Sequence, residues 1–79
     1  PSAVILRVQP NPVTDELRLT GIPRTGQLLL VRDALGRVAS TKSRPFISLD
    51  VHALTQGMYT VEVRGEQGAH LGSVRFIKE

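Results

Sequence analysis

The sequence predicts an all-β fold, an antiparallel sandwich of about seven short strands. Three observations carry the prediction. Apolar and polar residues alternate in short runs, as where Tyr59, Val61 and Val63 interleave with Met58, Thr60 and Glu62. That is the period of a strand with one buried face. Turn chemistry rich in Gly and Pro separates the runs. No long stretch carries the 3.6-residue period of an amphipathic helix.

In chain order, Val4, Leu6 and Val8 alternate with Ile5, Arg7 and Gln9 in a first strand. Pro10-Asn11-Pro12 stops it, because proline cannot donate to a ladder and restricts the residue before it. Thr14 and Asp15 continue the loop. Leu17 and Leu19 alternate with Glu16, Arg18 and Thr20 in a second strand, and Gly21 to Gly26 is a loop. Gln27 to Asp33 is a third strand with the apolar run Leu28-Leu29-Leu30-Val31, which suits burial on both faces. Leu28 and Leu30 are expected in the core, with Leu29 and Val31 on the opposite face.

Asp33-Ala34-Leu35-Gly36 reads as a tight turn ending in a glycine of positive φ. Arg37 to Thr41 is a short fourth strand carrying Val38, and Lys42-Ser43-Arg44-Pro45 is a polar connection. Ile47, Leu49 and Val51 alternate with Phe46, Ser48 and Asp50 in a fifth strand. His52 to Thr55 fits one short helical turn. Gly57 then supplies an angle that residues with a Cβ adopt reluctantly. Tyr59 opens the sixth strand, placed to return its hydroxyl to the preceding backbone as a tyrosine corner. Gly65-Glu66-Gln67-Gly68 is a hairpin turn. The last strand runs from about Ala69 to Lys78 with Val74 and Phe76 inward, and Gly72 is a candidate bulge.

The 79 residues allow one domain, spanning 1–79. The opening Pro1-Ser2, without Met, suggests a module of a larger protein. Cysteine is absent, which removes disulfides and thiolate chemistry. The net charge is +3, but the basic residues are scattered and form no run. No apolar stretch approaches a membrane span, and no signal-peptide pattern opens the chain.

His52 and His70 lack the spacing of a metal or catalytic pair and read as exposed loop histidines. Asp15, Asp33 and Asp50 sit at turns, where each is expected to bond nearby backbone N–H groups rather than calcium. No phosphate loop, nucleophile elbow or paired catalytic carboxylates occur. The expectation is a protein that is not an enzyme and uses no cofactor or metal. Nucleic-acid binding needs stacking aromatics beside a basic patch. Tyr59 and Phe76 are assigned inward, which leaves Phe46 as the exposed ring, and Trp is absent. The arginines are expected on solvated outer faces, paired with Glu16, Glu62 and Glu66. The residues by themselves describe a small interaction or targeting module.

Four blocks carry a resemblance. They are Val8 to Leu17 with its Pro-Asn-Pro, Asp33-Ala34-Leu35-Gly36-Arg37-Val38, Leu49 to Val63 with Gly57-Met58-Tyr59, and Arg75-Phe76-Ile77-Lys78. In this order and spacing they resemble the type A C-terminal sorting domain, by which Bacteroidetes proteins are exported through the type IX (Por) secretion system. The resemblance implies an Ig-like antiparallel β-sandwich at the end of a larger protein. It implies passage through the periplasm and the outer-membrane translocon to the cell surface or medium. It also implies removal by a sortase-like surface peptidase and attachment of the cargo to anionic lipopolysaccharide. The recognition elements carried over are Pro10, Asn11, Pro12, Asp33, Gly36, Arg37, Gly57, Tyr59, Arg75, Phe76, Ile77 and Lys78. The family often has an aromatic before the Asp33 position and Ser at His52; this chain departs from both.

Arg75 and Ile77 should share one face of the last strand, with Lys78 pointing the other way. Two readings of this edge stay open: docking by strand addition, or Arg75 and Lys78 as gatekeepers against edge pairing. Any processing is expected in or just before Pro1–Leu6. The alternatives to a sorting signal are a retained Ig-like module that binds surface glycolipid or a protein subunit, and an inert spacer.

Overall fold

Two antiparallel sheets face each other in the computed structural model, which describes residues 5–43 and 48–79. The strands are β1 (Arg7–Gln9), β2 (Glu16–Thr20), β3 (Leu28–Arg32), β4 (Val38–Ser43), β5 (Ser48–Asp50), β6 (Gly57–Arg64) and β7 (His70–Lys78). One sheet has the order β1-β2-β5 and the other β4-β3-β6-β7. This is the all-β sandwich that the alternation predicts. Val4, Phe46 and Ile47, assigned above to strands, lie outside the described residues, as do Arg44 and Pro45 of the connection.

The inner faces meet in one core. Leu17, Leu29, Val31, Val51, Val61, Val63 and Phe76 are fully buried there. Each strand contributes alternate residues, so burying the whole set removes the apolar face of both sheets from water. The third strand differs from expectation: Leu29 and Val31 are in the core, while Leu28 and Leu30 are half-buried on the outer face. The reason is register. Leu29 pairs with Val63 and Val31 with Val61. A one-residue slip would have turned every side chain over.

His52 to Thr55 is not helical. The Leu54 N–H reaches the Val51 carbonyl at 3.0 Å, closing a single turn. The chain must then extend into β6, so the turn does not propagate. The one helical piece among the described residues is a 3-10 turn, Glu66–Gly68, inside the β6–β7 hairpin. The bulge in β7 falls beside Gly72: Val63 pairs with Gly72 and Arg64 with His70, leaving Leu71 as the extra residue.

Candidate functional site

Three of the sequence blocks converge at one end of the four-stranded sheet, starting with the β3–β4 turn. Asp33 holds this turn with its own carboxylate. Oδ1 accepts the N–H groups of Leu35 and Arg37, each at 2.9 Å, and Oδ2 accepts the Arg37 Nε–H at 2.9 Å. The Asp33 N–H bonds the Arg37 carbonyl, and the Gly36 N–H bonds the Asp33 carbonyl. Gly36 has φ +83°, which a residue with a Cβ adopts only under strain. Arg32 Nη1 closes over the turn onto the Gly36 carbonyl at 3.1 Å. Partial desolvation pushes the Asp33 carboxyl up. The hydrogen bonds from Arg37 and Leu35, with the Arg37 charge, outweigh it and hold the group below its ordinary value. With its polar groups turned inward on itself, the turn leaves Leu35 at its tip, 77% exposed.

Opposite lies the segment leading into β6. Tyr59 donates its hydroxyl to the Thr55 carbonyl at 2.7 Å, with the Thr55 hydroxyl 3.1 Å away. This is the expected tyrosine corner, and its ring is buried, stacked on Phe76 at 5.5 Å between centroids. Gly57 has φ +151° with open space where a Cβ would sit, so the constraint there is conformational. Between the two segments runs an open groove of about 390 Å³, lined by Leu35, Arg37, Leu54 and Met58 among others.

The third block is a strap. Asn11 Oδ1 accepts the Ile77 N–H at 2.8 Å, and its amide reaches the Arg75 carbonyl at 3.5 Å. Val13 then pairs in parallel with Lys78: its N–H bonds the Ile77 carbonyl and its carbonyl takes the Glu79 N–H, each at 2.8 Å. Val13 is 1% exposed, an apolar anchor that the Pro-Asn-Pro signal overshadowed. Pro10, Asn11 and Pro12 are exposed around this contact.

The strap overturns one reading of the last strand. β7 is the edge of its sheet, but its outward backbone from Arg75 to Glu79 is already bonded. Strand addition has no open partner there. Arg75 and Ile77 do share the outer face. Lys78 points inward and is 8% exposed, its Nζ donating to the Glu79 carbonyl at 2.8 Å. It is therefore neither an exposed docking cation nor a gatekeeper.

Glu62 also departs from a solvated outer face. It is 8% exposed and joins three strands. Oε1 accepts the Arg32 Nε–H at 3.2 Å, and Oε2 meets the Arg64 Nε–H at 3.0 Å and His70 Nδ1 at 2.8 Å. The His70 hydrogen bond is the largest influence on its carboxyl. Burial opposes it, and the two arginines reinforce it, taking the pKa down to about 2. His70 thus stands on a strand, not in a loop. The signal that pointed this way was the i, i+2 spacing of Glu62 and Arg64, which puts both on one face.

The aspartates divide. Asp33 bonds backbone as expected, and Asp50 accepts the His52 N–H at 2.9 Å. Asp15 instead meets the His52 ring at 3.1 Å, while its carbonyl takes the Val51 N–H. Among the described residues, no group of three His, Cys, Asp or Glu side chains is placed to hold a metal ion. No helix among them is long and apolar enough to cross a membrane.

Residues 7–78 match a family model described as the secretion system C-terminal sorting domain. No curated protein and no solved structure matches the chain.

Proposed function

This chain belongs to the family of C-terminal sorting domains of type IX secretion, and from that premise we propose that it is a non-catalytic address, read by the export machinery to carry an attached cargo across the outer membrane. The observation that carries the reading is the family match over nearly the whole chain. The geometry supports it. Asp33 and Tyr59 each fix the shape of their own block, and the Asn11 strap and the Tyr59–Phe76 stacking tie blocks to one another, so the domain offers a fixed shape rather than a flexible tail. The family is not known for catalysis.

Two finer steps belong to the same proposal. A sortase-like surface peptidase removes the domain, and the cargo is joined to anionic lipopolysaccharide. Leu6 is buried in the core while Ile5 is 61% exposed, so the cut falls on the N-terminal side of Leu6.

The test is a reporter fused to residues 1–79 in a type IX-competent strain and in a strain lacking the translocon. Surface or medium delivery in the first alone is expected. Equal retention in both would sink the proposal. Mass spectrometry of the delivered reporter separates removal from retention: an intact end at Lys78-Glu79 favours a retained anchoring module.

A further inference from the structure

The blocks that carry the family resemblance divide into two sets by where their side chains go. Tyr59 and Phe76 stack in the core, Asp33 and Gly36 build a turn, Asn11 ties the edge of β7, and Lys78 is turned inward. These residues make the shape, and none of them offers an apolar contact to a partner. The outward residues of the same blocks are of another kind. Leu35 is 77%, Val38 50%, Met58 48% and Ile77 44% exposed. They are four of the five large exposed apolar side chains among the described residues, and all four lie on one side of the four-stranded sheet or at its end.

Register fixes their arrangement. Val38, Arg32, Thr60 and Arg75 stand in one row across β4, β3, β6 and β7. Met58 and Ile77 are direct cross-strand partners one step further along. Leu35 and Met58 line the same groove. An apolar strip thus runs from the β3–β4 turn across Met58 to the edge strand, on a backbone that the Asp33 turn and Asn11 strap hold still. Exposed apolar groups so grouped mark an interaction surface. Met and Arg beside one another suit a protein interface.

The charges decide the occupant. The turn contributes the Arg37–Asp33 ion pair, and the outer face carries Arg32, Arg64 and Arg75 against one carboxylate, Glu62. Arg32 and Arg64 are both engaged by that carboxylate. The Arg75 guanidinium has no acidic partner among the described residues. A polyanionic glycan would need several unengaged cations, and this strip supplies one beside four apolar side chains. A second copy of the same face would bring like charges together. We propose that Leu35, Val38, Met58 and Ile77, with Arg75, form the surface by which a protein of the export machinery reads this domain, and that the partner presents an apolar surface bordered by acidic residues. The inference rests on the sorting reading above.

The experiment is export of the full reporter fusion carrying Leu35→Glu, Met58→Glu and Ile77→Glu together. Limited proteolysis of the purified fusion checks that the domain stays folded. Arg18→Glu, exposed on the other sheet, is the charge control. Delivery is expected to fall about tenfold or more in the folded triple variant, as for loss of a hot-spot cluster, and to stay within about twofold in the control. A single Arg75→Glu should also reduce delivery, by less, because it places like charge against the acidic border. If the unaltered fusion is not delivered, both readings fall. If it is delivered and the folded triple variant is delivered equally, only this surface falls. Should the triple variant be delivered equally, while the purified unaltered fusion binds lipopolysaccharide and the purified triple variant does not, the face serves a glycolipid and the protein-partner inference is overturned. If the triple variant does not fold, Leu35→Ser with Met58→Thr and Ile77→Thr replaces it, read the same way.

Discussion

The Asp33 turn and the Asn11 strap are both made by one short polar side chain bonding main-chain groups, yet they do different jobs. Asp33 reaches residues two and four positions away. Asn11 reaches Ile77, a separation of 66 residues. The turn therefore organises only its own hairpin tip. The strap joins the start of the chain to its last strand and closes an edge that would otherwise invite another strand. Long-range ties of this kind hold the sandwich together, whereas local ties set the shape of a single loop.

Acid should produce the largest effect. Glu62 links β3, β6 and β7, and its pKa in the folded protein is lowered to about 2 from an ordinary 4.5. A depressed carboxylate stabilises the fold above its unfolded value, and that stabilisation is lost as pH falls toward the folded value. Stability should drop between roughly pH 4.5 and pH 2, by at most about 3 kcal/mol. Asp33, also lowered, slopes the same way, so Glu62→Gln is the control. Urea unfolding of the variant should show a markedly flatter acid limb; an unchanged slope would mean the three-strand link contributes little.

Next comes the strap. Asn11→Ala removes the acceptor of the Ile77 N–H and should cost about 1 kcal/mol in urea unfolding. Amide exchange at Ile77 and Glu79 should speed up, and the freed edge should show concentration-dependent self-association. If exchange at Glu79 is unaffected, Val13 holds the edge without Asn11, and the contrast with the turn narrows.

The smallest global effect is expected for Asp33→Ala. Amide exchange should accelerate at Leu35 and Arg37 while amides of Val61 and Val63 stay protected. Faster exchange spreading into β6 would erase the distinction between local and long-range ties.

The sequence by itself determined the elements whose causes are local. Alternation marked the strands, Asp33 and Gly36 marked a turn, and Gly57 with Tyr59 marked the corner, because each signal lies within a few residues of its effect. The run Leu28-Leu29-Leu30-Val31 is apolar on both faces, so only pairing of β3 with Val61 and Val63 decided which half faces the core. Val13 under the strap, the burial of Glu62 with its tie to His70, and the closing of the β7 edge by Asn11 were likewise settled by tertiary structure. Their partners come from distant positions, and register, not composition, brings them into reach.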